Sequence, residues 1–97
     1  MKARFHRLAR RELKSAVEYY NREEAGLGDR FGTTIRNAVD ELRADPQRWP
    51  VFEWRIRRYV VRKFPSVLLY AESGGSILVA AVMHTSRRPG YWKGRID

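Results

Sequence analysis

Seven consecutive apolar residues, 77–83, follow the turn sequence Ser73-Gly74-Gly75-Ser76. A short apolar run that begins at a glycine turn is typical of a β-strand buried on both faces. Alternate side chains of a strand point to opposite faces, so two sets need separate cover: Ile77, Val79 and Ala81 on one face, and Leu78, Ala80 and Val82 on the other. The chain must therefore build a sheet with a layer on each side.

Two amphipathic segments predict the layer on one face. In the first, apolar residues recur at helical spacing: Leu8 or Ala9, then Leu13, Ala16, Val17 and Tyr20. A second stripe runs from Leu27 to Leu42, and Pro46 ends it because proline cannot continue the helical hydrogen bonds. Between them, Asn21, Gly26 and Gly28 are expected to break or cap the helices. So short a connection predicts an antiparallel helical hairpin.

The strands are predicted from period-two patterns. They cover residues 55–63, 66–72 and 77–83, with a short N-terminal strand that carries Ala3 and Phe5 on one face. Residues 47–54 are interpreted as a connector whose aromatics, Trp49, Phe52 and Trp54, pack into the core. The predicted fold class is α+β, with a short N-terminal strand and a helical hairpin on one face of a mainly antiparallel sheet of three to four strands.

The helical hairpin can cover only one face of this sheet. The other face is expected to be sealed either by residues 87–95 of the tail or by a partner chain, because exposed apolar patches commonly mark interaction sites. The residues expected to meet such a partner are Leu78, Ala80, Val82, Tyr91 and Trp92.

Charge and composition limit the possible functions. The formal net charge is +9, and residues 55–97 hold 9 bases against 2 acids, Glu72 and Asp97. That field favours nucleic acid, an acidic protein or an anionic surface, or serves solubility alone. The chain has no cysteine and two histidines, so disulfides and thiolate chemistry are excluded, and neither a metal site nor a cofactor is expected. No signal peptide or membrane helix is predicted, which favours the cytoplasm.

One group of residues has the parts for cutting RNA. His84 ends the last strand, and Arg87 and Tyr91 follow it. Histidine suits proton transfer near neutral pH, arginine binds two phosphate oxygens, and an aromatic ring can stack a base. The alternative is that His84 is a structural residue. Glu53 and Glu72 are proton carriers only by elimination, and further cations are candidates for contact with phosphate or an acidic partner: Arg58, Arg62, Lys63 and Arg88.

Several stretches in order resemble the RelE/ParE superfamily of type II toxin–antitoxin toxins. They are "ARRELKSAVEYYNREEAGLGDRF", "DPQRWP" and "IRRYVVRKFPSVLLYAESGGSILVAAVMHTSRRPGYW". The likeness spans nearly the whole chain and is more ParE-like than RelE-like, which implies one toxin domain over residues 1–97. It also implies a cytoplasmic toxin that a cognate antitoxin holds inactive, within a higher-order toxin–antitoxin complex.

The resemblance leaves two targets open. A ParE-like toxin would poison DNA gyrase by binding, with no catalytic residue. A RelE-like toxin would cleave mRNA on the ribosome, with Arg58, Arg62, His84, Arg87 and Tyr91 as the positions to suspect. A third possibility, outside the toxins, is a basic RNA-binding module without activity.

Overall fold

The computed structural model describes residues 1–96 of the 97-residue chain, so Asp97 lies outside the described part. The elements follow in the order β1 (Lys2–Phe5), α1 (Arg7–Glu23), α2 (Leu27–Ala44), β2 (Val51–Glu53), β3 (Ile56–Val60), β4 (Ser66–Ser73), β5 (Ser76–His84) and a short 3₁₀ helix (Lys93–Arg95). The predicted α+β class and the helical hairpin are confirmed.

The sheet has five strands in the order β1-β5-β4-β3-β2. The first strand pairs parallel to β5, and all other neighbours are antiparallel. The prediction of three to four strands missed β2, which lies within the segment interpreted as a connector. All three residues of β2 are exposed, so its sequence shows no alternation between apolar and polar residues.

The two helices approach each other closely at Gly28. A Cβ atom at this position would lie 2.0 Å from the Val17 carbonyl oxygen, and the Gly28 N–H donates to Asn21 Oδ1 at 2.7 Å. Gly28 and Asn21 are therefore helix residues and not breakers, and Asn21 caps α2 from the neighbouring helix because its side chain accepts an N–H of the first turn. Gly26, with φ of 86°, is the N-cap of α2 as predicted.

The core on the helix side lies between the hairpin and one face of the sheet. Phe31, Ile35 and Leu42 of α2 pack with the buried strand residues Leu68, Tyr70, Ile77 and Val79. The two buried tyrosines that reach this layer keep their hydroxyls satisfied: Tyr70 donates to the Pro46 carbonyl at 2.7 Å, and Tyr59 donates to Glu41 Oε2 at 2.7 Å. Burial raises the pKa of each to about 12, and for Tyr59 the bond to Glu41 adds to the rise.

A β-bulge at Ala80 changes which side chains of β5 face the helices. Leu69 pairs with Ala81, and Tyr70 pairs with Val79, so Ala80 is the extra residue. Ile77 and Val79 face the helices as predicted, but the bulge turns Ala81 away and places Val82 in the core on the helix side. The predicted faces of Ala81 and Val82 were wrong because a strict period of two does not survive a bulge.

Neither helix in the part of the chain that the structure describes is long and apolar enough to cross a membrane.

Candidate functional site

The tail, residues 85–96, closes the sheet face opposite the helices. Trp92 and Ile96 are 3% and 7% exposed, and they pack in one cluster with Ile56, Leu69 and Ala80. Of the two expected covers for this face, a partner chain is not needed to seal it. The alternative, cover by the chain's own tail, describes the observed packing.

Polar contacts fix the tail at two edges of the sheet. On the β2 side, Lys93 Nζ lies 2.6 Å from Glu53 Oε2, and the rings of Phe52 and Trp92 are 6.4 Å apart. On the β5 side, Arg95 pairs with Glu12 of α1 at 2.9 Å. The tail is thus held on both sides of the apolar cluster that it covers.

A cleft of about 530 Å³ opens where α1, the end of β5 and the tail meet. His84, Arg87 and Tyr91, the three residues predicted for RNA cleavage, all line it. Glu12 and Arg95 line it as well, and neither was predicted. The sequence therefore predicted part of this cleft but not the charged pair within it.

Glu12 is the centre of the bonding network in the cleft. Its Oε1 atom accepts from Arg95 Nη1 at 2.9 Å, and its Oε2 atom accepts from Arg95 Nη2 at 3.0 Å and from the Tyr91 hydroxyl at 2.7 Å. The side chains of Arg95 and Glu12 are only 10% and 17% exposed. The two parallel charge-assisted hydrogen bonds between Arg95 and Glu12 are largely shielded from solvent, so they form a strong and directional ion pair.

The same pair completes the hydrogen bonds of a free strand edge. The β1 strand covers β5 only as far as Val79, so the next residues lack a strand neighbour on that side. Glu12 Oε1 accepts the Val82 N–H at 3.0 Å, and Arg95 Nη1 donates to the Ala80 carbonyl at 3.1 Å. The side chains of Glu12 and Arg95 thus bond the β5 backbone groups that a longer β1 strand would bond. This protects the free edge of β5 from pairing with a strand of another chain.

The network also sets the protonation of its members. Burial raises the pKa of the Tyr91 hydroxyl, and the hydrogen bond to Glu12 and its charge add to the rise. For Arg95, burial alone would lower the pKa, but the bonds to Glu12 and its charge outweigh burial and leave the pKa raised. At neutral pH, Tyr91 therefore stays protonated and Arg95 stays charged.

Two guanidinium groups lie against the ring of Tyr91. The Arg87 Cζ atom is 4.0 Å from the ring centroid, and the Arg95 Cζ atom is 4.9 Å from it. Because a cation gains from the negative face of an aromatic ring, these contacts hold Arg87 beside the network. The ring that was predicted to stack a nucleobase already contacts two arginines of its own chain.

His84 is exposed, and its ring is part of a tight turn. Its Nδ1 atom lies 3.0 Å from the Ser86 backbone N–H, which donates to it, and 2.7 Å from the Ser86 hydroxyl. A nitrogen that accepts an N–H carries no proton, so the neutral ring in this geometry carries its proton on Nε2. This tautomer leaves no free basic nitrogen for abstracting a proton.

The other predicted cations do not converge on the cleft. Arg58 and Arg62 line a separate depression of about 450 Å³ together with Arg48. Lys63 lies in the turn after β3 with φ of 69°, and Arg88 is exposed in the tail. The backbones of β3 and β5 are separated by β4, a spacing of about 10 Å for two strand intervals.

Glu53 and Glu72, the proton carriers suggested only by elimination, also lie apart from the cleft. Glu53 is held by Lys93, and Glu72 lies on β4 opposite Ile77, near the hairpin turn at the other end of β5. Within residues 1–96, no group of three or more histidine, aspartate or glutamate side chains is placed to hold a metal ion.

The residues predicted to contact a partner differ in their accessibility. Ala80, Val82 and Trp92 are buried by the chain itself, whereas Leu78 and Tyr91 are half-buried. A partner could reach Ala80 and Trp92 only after the tail is lifted, whereas Val82 lies in the core on the helix side and would stay buried.

Sequence reasoning missed Glu12 and Arg95, although one signal was present. Glu12 lies four residues after Leu8 and four before Ala16, so it falls on the inward side of α1. A carboxylate in an apolar helical stripe predicts a buried partner. No signal in the sequence named Arg95 as that partner among the many cations.

The chain is a small α+β domain with a cationic tail packed across its sheet. Residues 3–89 match the family model described as the ParE toxin of type II toxin-antitoxin system, parDE. The chain therefore belongs to the ParE toxin family, and it is a toxin of the type II class.

A solved structure supports the same fold. A chain of the chromosomal ParDE TA system from P. aeruginosa superposes with a TM-score of 0.77 at 16% sequence identity. The match covers 87% of this chain and 95% of that one. No curated protein matches the sequence.

Proposed function

We propose that this ParE-family toxin acts in the cytoplasm by binding DNA gyrase and does not cleave nucleic acid. One observation carries the proposal: the hydroxyl of Tyr91, a candidate acid beside Arg87, donates a hydrogen bond to Glu12, whose charge Arg95 already neutralises. Glu12, Tyr91 and Arg95 satisfy one another, which supports a structural role for these three residues. A group that is fully bonded within its own chain has little left to offer a substrate.

Proton transfer in the cleft would be slow for a second reason. Cleavage of RNA needs a base for the 2′-hydroxyl and an acid for the leaving oxygen, each within hydrogen-bond reach of its proton. The raised pKa of Tyr91 makes it a weak acid at neutral pH. The Nδ1 atom of His84 accepts from Ser86, so this ring does not present a free base.

RNA cleavage remains the second candidate because His84, Arg87 and Tyr91 line the same cleft. In that function, His84 would have to change its tautomer or rotate away from Ser86 before acting. Arg87 would bind the phosphate. The non-catalytic RNA-binding alternative shares the same cations but predicts no effect on growth.

The two candidates separate in one set of assays. His84→Ala should retain full growth inhibition and full inhibition of supercoiling by purified gyrase, as should the neighbouring control Thr85→Ala. Loss of growth inhibition in His84→Ala alone, together with mRNA cleavage by the wild-type protein in a translating extract, would establish the nuclease. Wild-type protein that leaves gyrase unaffected at excess contradicts the proposal.

A cognate antitoxin is the partner that family membership supports. The antitoxin contacts proposed from the sequence include Ala80 and Trp92 on the face that the tail closes, so an antitoxin that uses them would displace the tail. Val82, another proposed contact, lies in the core on the helix side, and displacing the tail would not expose it. Coexpression with the adjacent gene should restore growth and yield a co-purifying complex. In that complex, backbone amides of residues 91–96 should exchange faster than in the free toxin. Unchanged exchange there would place the antitoxin elsewhere.

A further inference from the structure

Trp54 has a backbone conformation that its side chain disfavours. Glu53 pairs with Ile56, so Trp54 and Arg55 form the two-residue turn between β2 and β3. The φ of Trp54 is 56°, in the left-handed region, and the first position of such a turn is normally glycine. A bulky aromatic residue at this position is strained, so the turn would form more easily with another residue.

Trp54 also gains little from burial. Its exposed fraction is 66%, the highest of the large hydrophobic residues in the described part of the chain. The other two tryptophans, Trp49 and Trp92, pack into the two cores. The sequence-based expectation that Trp54 and Phe52 are core residues was wrong, since Phe52 is 45% exposed as well. Neither the turn nor the core explains a tryptophan at this tip.

Cations accompany both exposed rings. The Arg55 Cζ atom lies 4.9 Å from the centroid of Trp54, and the Arg58 Cζ atom lies 5.5 Å from that of Phe52. We call Phe52, Trp54, Arg55 and Arg58 the hairpin surface. Its one neighbouring acid, Glu53, is held by Lys93, so the surface stays positive. Stacked guanidiniums also hold the rings in place before a partner arrives.

The composition of the hairpin surface fits a protein partner. Tryptophan and arginine are the residues most enriched among those that dominate protein–protein binding energy. Each ring already carries a guanidinium within contact distance, which leaves less ring surface for a nucleobase. These features favour a partner with an apolar pocket inside an acidic rim.

Charge also disfavours a second copy of the chain as the occupant. Two molecules of net charge +9 repel, and like charges of Arg55 and Arg58 would meet at such a contact. We infer that the hairpin surface engages an acidic protein surface, with Trp54 as the anchor, and that this surface belongs to gyrase. The inference rests on the proposed function and assigns its binding contact to the β2–β3 hairpin, away from the cleft.

Trp54→Gly separates strain from binding. Glycine accepts a φ of 56° without penalty, so the melting temperature should be unchanged or higher, while affinity for purified gyrase should fall by about tenfold or more. Trp54→Phe keeps an aromatic ring and should retain most of the affinity. Arg58→Glu should weaken binding and reduce its salt dependence. The control Arg36→Ala removes an exposed arginine on α2 and should bind as wild type.

The outcomes distinguish this inference from the proposed function. If wild-type toxin binds gyrase and Trp54→Gly and Arg58→Glu bind equally well, the hairpin surface is not the contact, while the proposed function stands. If wild-type toxin does not bind gyrase, the proposed function fails. The assignment of gyrase as the partner of the hairpin surface then fails as well. A single-stranded oligonucleotide that quenches wild-type tryptophan fluorescence, with binding lost in Trp54→Gly, would overturn the choice of a protein occupant.

Discussion

The Glu12 carboxylate and the Arg95 guanidinium, 83 residues apart in the chain, meet through two hydrogen bonds of 2.9 and 3.0 Å. The pair joins the first helix to the last turn of the described chain. It also satisfies backbone groups of β5, at Val82 and Ala80. One ion pair thus links helix, strand edge and tail, and it holds one side of the tail that closes the second sheet face.

Glu12→Gln should therefore destabilise the protein well beyond a surface change. The amide keeps the shape but leaves the enclosed charge of Arg95 without its counter-ion, at a cost of about 2–4 kcal/mol. Urea unfolding would measure the loss. Glu18→Gln, on the exposed side of the same helix, should change stability by less than about 0.5 kcal/mol. Equal midpoints for the two variants would show that the pair contributes little.

Trp92→Ala tests the closure of the face by the tail. Removing this indole, 3% exposed, should cost about 3–4 kcal/mol and open apolar surface that binds a hydrophobic dye. Trp54→Ala removes the same group at 66% exposure and should leave stability within about 0.5 kcal/mol. If both variants unfold at the same urea concentration, the tail does not hold the face closed.

Local patterns predicted the parts of the fold that repeat regularly. The apolar stripe of α2 and the alternation of Val67, Leu69 and Ala71 against Leu68 and Tyr70 in β4 both survive unchanged. The bulge was hidden because Ala80 and Ala81 are identical residues, so nothing in the sequence marks where the alternation shifts. The β2 strand was not predicted because its three exposed residues show no alternation of apolar and polar side chains.

The site was harder to predict than the fold because its contacts are distant in sequence. His84, Arg87 and Tyr91 lie close together in the chain and were found. Arg95 and Glu12 are brought together only after the sheet and the tail have formed. Trp54 was misjudged because aromatic residues in small domains are usually core, and no pattern announces a strained turn.

Gly28→Ala should destabilise the helical hairpin. The new Cβ atom would lie 2.0 Å from the Val17 carbonyl oxygen and 2.6 Å from Asn21 Cγ, so the helices must move apart. That cost should exceed the gain of about 1 kcal/mol in helix propensity and leave a net loss of about 1–3 kcal/mol.

Gly32→Ala supplies the matched control in the same helix. Its Cβ atom would have Val17 Cγ2 as its nearest neighbour at 3.8 Å, an ordinary contact. This variant should gain up to about 1 kcal/mol from helix propensity. Thermal unfolding of both variants decides the matter, and a stabilised Gly28→Ala protein would contradict the close approach of the helices.

Buried tyrosines predict a loss of stability at alkaline pH. The pKa of Tyr59 and of Tyr70 is raised from 10.0 to about 12, chiefly by burial. Below pH 10 these groups keep their protons in both the folded and the unfolded chain. Between pH 10 and 12 only the unfolded chain loses them, so the free energy of unfolding falls by about 1.4 kcal/mol per pH unit for each tyrosine. Tyr91, whose pKa is also raised, adds to the same loss.

Tyr70→Phe removes one of these titrating groups and isolates its share. The variant should be less stable at neutral pH, because the Pro46 carbonyl loses its donor, by about 1 kcal/mol. Its free energy of unfolding should also fall less steeply than that of wild type between pH 10 and 11.5. Urea unfolding at stepped pH measures both slopes. Parallel curves for wild type and variant would mean that the Tyr70 hydroxyl titrates alike in the folded and unfolded chain.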